Sequence, residues 1–221
     1  KLINPICIKG NFDRPNLTLN VEPMRKNGFE EKILPLLQEY TKEKILIYCK
    51  TIKDADLLEI EILDVGIMCK AYHSRKSAET RSKIQYDFTI GKLKCIVATI
   101  AFGLGVNIPD IRVIIHYNCP GDLDSYYQEI GRAGRDGNTS YCYLFHSEHD
   151  FTLSRIFVEE ITDEKYKEYR EGEILKMLQY VNSTECRRII LLKRFDPTYN
   201  EKKCNNCDNC IKKKTNMKDC T

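Results

Sequence analysis

No run of the 221-residue sequence is apolar enough to span a bilayer, and no charged-then-apolar leader opens it. Those absences predict an intracellular protein with no membrane partner, nuclear in a eukaryotic cell or cytoplasmic in a bacterial one. Also missing is any Gly-x-x-x-x-Gly-Lys-Ser/Thr loop that could cradle nucleotide phosphates. Gly91-Lys92 comes nearest, but Leu93 stands where a hydroxyl is required. Nor is there an acidic strand of the Asp-Glu-x-His type to hold a metal ion. The chain by itself is therefore expected to hydrolyse no nucleotide. No internal repeat is found.

What the sequence does have is enough apolar material for a real core, with 42% hydrophobic residues, and room for one medium domain plus a small one. Most of its eleven cysteines, such as Cys49 in LIYC and Cys95 in CIVAT, lie in strand-like runs where thiols pack as small hydrophobes rather than as disulfide staples. The net charge of +3 is unevenly placed. Residues 1–154 hold 20 basic and 20 acidic residues, and the remainder holds 15 and 12. The C-terminal excess gathers at Arg187-Arg188, Lys193-Arg194, Lys202-Lys203 and Lys212-Lys213-Lys214, clusters able to meet phosphates or simply to face water.

From about Lys44 to His146, short β-branched runs alternate with amphipathic stretches, the pattern of a parallel sheet covered by helices. Strands are expected at 45–49, 68–72, 95–98, 113–116 and 141–145, and their near-continuous hydrophobicity suits burial on both faces. Crossover helices are expected at 54–63, with Ala55, Leu58 and Ile62 on one stripe, and at 77–90, with Ser77 as N-cap. Residues 1–21 read as an extended lead-in. From Phe151 to Leu192 the pattern turns helical and charged, so the expected division is an α/β domain over 1–147 and a small helical unit over 148–221. The Asn-, Lys- and Cys-rich end cannot order itself without a cross-link, and the residues after Lys212 read as a frayed tail.

The stretch Tyr126-Tyr127-Gln128-Glu129-Ile130-Gly131-Arg132-Ala133-Gly134-Arg135-Asp136-Gly137 carries the densest chemistry. On a helix over 122–133, Gln128, Arg132 and Arg135 fall at i, i+4 and i+7 and project together. Guanidinium forks match phosphate oxygens in a bidentate manner, so the paired arginines suit the γ-phosphate of a nucleotide, while Gly131 and Gly134 permit close backbone approach. A second glycine-marked loop, Thr99 to Pro109 with Gly103, Gly105 and Asn107, is expected at the C-terminal edge of the sheet, where ligands bind in such folds. Its amides and the Thr99 hydroxyl could meet a phosphate.

Cys204-x-x-Cys207-x-x-Cys210 supplies three thiols, one short of the tetrahedral shell that structural zinc prefers. Cys186, at the start of an apparent amphipathic helix, is the best fourth ligand, and Cys220 competes with it. A filled four-thiolate shell leaves no open position for hydrolysis, so the metal is expected to be structural.

QEIGRAGRDG resembles the last signature of superfamily-2 helicases, and Gln128 at its head, where RNA-directed members usually carry histidine, resembles the RecQ branch. The likeness runs from about Phe12 to Cys210 and includes the CRR segment and the CxxCDxC cluster. It implies that Cys186, Cys204, Cys207 and Cys210 hold zinc. ATIAFGLGVN is similar to the segment linking nucleotide sensing to strand grip. Tyr72, His73 and Ser74 are similar to a segment touching single-stranded DNA, and Lys50 and Thr51 to the first signature of the second motor domain. What the resemblance implies is the second RecA-like domain and zinc subdomain of an ATP-driven 3′-to-5′ DNA helicase. ATP and magnesium would sit against a first RecA-like domain in cis, with single-stranded or forked DNA as partner. The alternative expectation is a catalytically inert nucleic-acid-binding or assembly module.

Overall fold

The computed structural model describes residues 12–25, 27–103 and 107–212. Gly105, Cys220, the start of the lead-in and the tail after 212 lie outside them. Six strands form one sheet in the order β1-β6-β5-β2-β4-β3, and neighbouring strands all pair in parallel. They are β1 (Leu17–Pro23), β2 (Lys44–Tyr48), β3 (Cys69–Tyr72), β4 (Cys95–Ala98), β5 (Ile111–His116) and β6 (Ser140–His146). Among the described residues seven α-helices accompany them: α1 (Leu34–Glu39), entered through a π-helical turn at Phe29–Ile33, then α2 (Ile52–Asp64), α3 (Ala78–Thr89), α4 (Leu123–Ile130), α5 (Glu148–Glu159), α6 (Glu164–Asn182) and α7 (Arg187–Phe195). This is a RecA-like α/β architecture followed by a helical unit.

Because successive strand residues face opposite sides, β2 sends Ile45 and Ile47 to one core, continued by Cys49 just after the strand, and Leu46 and Tyr48 to another. The first core packs Ala55, Leu58 and Ile62 of α2 with Ile33 and Leu37. The second packs α3 and α4 and runs without a break into Met177, Tyr180 and Ile189 of the helical unit. Complete burial of both faces explains why these strands read as unbroken apolar runs. Caps fix the crossovers: Thr51 Oγ1 accepts from the Asp54 amide at 3.0 Å, and Ser77 Oγ from the Thr80 amide at 3.1 Å.

Two expectations need correcting. The lead-in contains a strand, β1, whose inward Leu17, Leu19 and Val21 alternate with Thr18 and Asn20. It pairs with β6, more than a hundred residues later in the chain. The helix expected over 122–133 stops at Ile130. Gly131 caps it, and Gly134 at φ +52° turns the backbone so that its amide meets the Ile111 carbonyl at 2.9 Å. Arg132 and Arg135 therefore stand on a tight turn, not on the helix that carries the exposed Gln128.

Candidate nucleotide-facing turn and metal centre

The turn after α4 brings the two arginines together by seating them on the returning half of the β4–β5 loop. Arg132 Nη1 donates to the Gly103 carbonyl at 2.7 Å, and Arg135 Nη1 to Asn107 Oδ1 at 3.1 Å. At Gly103, with φ +152°, a Cβ would collide with the Arg132 guanidinium, so glycine is what lets that side chain lie flat on the loop. Arg132 is half-buried and Arg135 exposed. Burial, then repulsion from Arg132 and Arg14, pulls the Arg135 guanidinium below its ordinary pKa. Three guanidinium groups thus crowd one patch, a field that an anion would relieve.

The turn sits at the end of the sheet where strands begin. Gly134 bonds Ile111 at the start of β5, Asp136 pairs with Arg112 next to it, and the Ser140 amide, opening β6, meets the Asn16 carbonyl at 2.9 Å. The loop expected at the C-terminal edge starts there: the Thr99 amide bonds the Tyr72 carbonyl at 3.2 Å, and the Phe102 amide turns back onto the Thr99 carbonyl at 3.1 Å. The Arg132 guanidinium reaches this loop at Gly103.

At the other end, most of the residues matched to strand contact are committed inside the fold. Tyr72 packs edge-on against Phe102 at 4.9 Å between centroids. Buried His73 places Nε2 2.9 Å from Asp56 Oδ1. Lys50 spends its donors on the carbonyls of Cys119 (3.2 Å) and Asp150 (2.8 Å) and on Ser154 Oγ, tying β2 to α5. Thr51 caps α2 and Thr99 is buried. Ser74 remains exposed beside Arg75, and Ile100 is 80% exposed at the same rim. Neither Arg75 nor Ile100 stands out in the sequence, since a lone surface cation or apolar residue carries no pattern. The buried pair His116 Nε2 and Glu129 Oε2, 2.8 Å apart between β5 and α4, was equally silent.

Four thiols converge where the N-cap of α7 meets the loop that follows the helix: the sulfurs of Cys186, Cys204, Cys207 and Cys210 all lie within 4.8 Å of one another. Cys186 Sγ and Cys207 Sγ are 3.9 Å apart. A tetrahedral zinc with bonds of about 2.3 Å separates its sulfurs by roughly 3.8 Å, so the cluster fits zinc. Amides of Cys204 and Asn206 point at the Cys186 and Cys204 sulfurs, both at 3.3 Å, as they would toward thiolates. The hydrogen bond with Cys207 lowers the Cys204 thiol, whereas the same bond and burial push Cys207 up. Four thiolates cannot share this space without a cation.

The metal loop is sewn to the rest of the molecule. The Leu19 amide reaches the Asn206 carbonyl at 3.4 Å, and Thr18 Oγ1 bonds Asn206 Oδ1 at 2.8 Å, so the loop lies along the free edge of β1. Buried Arg187 forks onto Asp208 at 3.1 and 3.2 Å. Arg188, one residue on, reaches Asp13 Oδ1 at 2.7 Å and the carbonyls of Arg14 and Leu17.

A parallel RecA-like lobe presenting an arginine turn, continued by a four-cysteine helical unit, is the C-terminal motor lobe of a helicase. Residues 29–137 match the helicase conserved C-terminal domain, and residues 148–211 match the RecQ zinc-binding family. The chain belongs to the RecQ helicase family. A protein of Acanthamoeba polyphaga mimivirus named as an ATP-dependent RNA helicase is 44% identical over 92% of this chain and 37% of its own length. The bifunctional 3′-5′ exonuclease/ATP-dependent helicase WRN of Mus musculus is 38% identical over 90% of the chain and 15% of its own. The RecQ-like DNA helicase blm-1 of Caenorhabditis elegans is 32% identical over 98% and 22%. The chain thus spans 15–37% of the lengths of these curated relatives. Among solved structures, a DEAD box protein from Methanococcus jannaschii superposes with a TM-score of 0.54 at 25% identity, over 64% of this chain and 39% of that one. Saccharomyces cerevisiae Dbp5 bound to RNA and ADP BeF3 does so at 0.57 and 19% identity, over 75% and 46%, a likeness of fold.

Proposed function

We propose that this chain is the second motor lobe and zinc subdomain of an ATP-driven, 3′-to-5′ DNA helicase, with the lobe boundary at Ser147. ATP and magnesium would be held by a first RecA-like lobe elsewhere in the full-length protein. Arg132 and Arg135 would reach the γ-phosphate across the cleft and offset charge that develops during transfer. The observation that carries this reading is the guanidinium cluster in which Arg132 sits on Gly103 and Arg135 on Asn107, with burial and then the charges of Arg132 and Arg14 pulling Arg135 below its ordinary pKa. Gln128, exposed on the last turns of α4, would face the same cleft.

A strand of DNA would cross the opposite end of the sheet, over Ser74, the Thr51 and Thr99 backbones and the Ile100 rim. Closure of the cleft on ATP would pull the Gly103 half of the β4–β5 loop and shift its Thr99 half, converting hydrolysis into a changed grip on the strand. When bound, zinc would supply only cross-linking.

In the full-length helicase, Arg135→Ala should lower DNA-stimulated ATP hydrolysis by about 10³-fold or more, the scale of an arginine finger, while single-stranded DNA binding stays within about twofold. Near-native turnover by that variant would remove the assigned role. A second reading, RNA as the strand, is favoured by the name of the mimivirus relative. Comparing unwinding of matched DNA and RNA duplexes by the native protein separates the two, and RNA preference would sink the DNA assignment.

A further inference from the structure

The arginine turn is held from behind by a residue outside every motif considered so far. Arg14 places Nη1 3.1 Å from the Gly131 carbonyl and Nη2 2.7 and 2.8 Å from the carbonyls of Ala133 and Gly134. Asn16 Nδ2 adds bonds to the Gly134 and Asn138 carbonyls, each at 2.9 Å. Of these oxygens only that of Gly131, the C-cap, belongs to the end of α4; those of Ala133, Gly134 and Asn138 lie beyond it. The three that Arg14 meets belong to the residues interleaved with the two arginines. Gly131 and Ala133 flank Arg132, and Gly134 precedes Arg135, so Arg14 locks the peptide groups from which both side chains spring.

The brace is itself anchored. Arg188, two residues beyond the metal ligand Cys186, grips Asp13 Oδ1 and the carbonyls of Arg14 and Leu17. Phe12 stacks on Phe195 at 5.9 Å, and the Tyr127 hydroxyl bonds the Phe12 carbonyl. Residues 12–16 are thus clamped between the zinc subdomain and the turn. A planar fork holds these three carbonyls through two nitrogens in fixed geometry, whereas an ammonium is a single point donor on a flexible stem.

We infer that Arg14 is a positioning residue for the arginine turn, bracing Arg132 and Arg135 against α7 so that they meet the nucleotide at fixed geometry. The inference rests on the reading of those arginines as fingers. A misplacement near 1 Å of a transition-state group can reduce turnover about 10²-fold without weakening ground-state binding, so the signature is a selective loss of kcat.

The experiment uses the full-length helicase and measures DNA-stimulated ATPase, KM for ATP and Tm. Arg14→Lys should lower kcat at least tenfold with KM and Tm nearly unchanged. On a background carrying both Arg132→Lys and Arg135→Lys, chosen over alanine to leave measurable turnover, the same change should cost no more than about twofold, because both groups it positions are already impaired. A kcat above half the native value in Arg14→Lys overturns the inference, as does an equal fold-loss on both backgrounds. If Arg14→Lys melts below the assay temperature, Asn16→Ala replaces it: a loss in kcat of threefold or more at constant KM is expected, and native turnover overturns the brace. Native turnover in Arg135→Lys and Arg135→Ala would instead remove the finger reading, whatever Arg14 does.

Discussion

At the scale of single residues, the arginine turn is surrounded by groups whose ionisation it sets. The Arg112 guanidinium donates to Asp136 Oδ1 at 3.0 Å, and that bond, helped by the Asn138 amide at 3.1 Å, holds the Asp136 carboxyl down at about 2 against an ordinary 3.8. A carboxylate depressed in the folded state adds stability above its ordinary pKa and loses it as pH falls through the folded value, here between 3.8 and about 2. The pair is open to water, so its contribution is small. Following the Asp136 carboxyl by NMR should show it titrating near 2, and Arg112→Ala should return it to about 4. An unmoved titration would show that the ion pair is not formed in solution. Such pairs were invisible in the sequence, because Arg112 and Asp136 meet across 24 positions with no spacing rule to join them.

At the scale of elements, the turn depends on Gly134 more than on the helix before it. A Cβ at that position would lie within 2.7 Å of Ser140 Oγ, Asn16 Nδ2 and the Asn138 carbonyl, on a backbone at φ +52°. Gly134→Ala should therefore destabilise the domain by about 1–3 kcal/mol, read as a lowered urea midpoint at unchanged slope. A native midpoint would show that the turn relaxes freely. The sequence disclosed much of this level and missed some. Strands β2 to β6 and helices α2 and α3 were legible because burial on two faces or on one stripe leaves a period that local composition preserves. β1 carries a period-2 alternation in Leu17, Leu19 and Val21 that marks a strand locally but is too short to show its place in the sheet, because its partner β6 lies far along the chain. The comb of Gln128, Arg132 and Arg135 looked helical, and the glycines that end the helix looked merely permissive. The brace from Arg14 spans 117 to 120 positions and could not be read at all.

At the scale of the whole molecule, the convergence of the cysteines is the feature most legible in the sequence, since thiol spacing of this kind suits coordination geometry. Only the fourth ligand was open, and the structure brings Cys186 to the site. The helical unit shares one continuous core with the sheet, so zinc should stabilise both together. One ion per folded chain is expected from metal analysis, and a strong chelator or Cys207→Ser should lower Tm for the sheet and the helical unit in a single step. Structural zinc contributes on the order of 10 kcal/mol in small modules. A chain that keeps its Tm with much less than one ion would refute the structural role.

The docking of Asn206 and Cys207 along Leu19 has an outcome in crowded surroundings. A flank of β1 that this short knuckle shields is a ready template for pairing with another chain. Stripping the ion would unmask that flank while β1 still holds to β6. Zinc starvation should thus promote self-association of the lobe strand to strand, making solubility as well as rigidity a metal-dependent property.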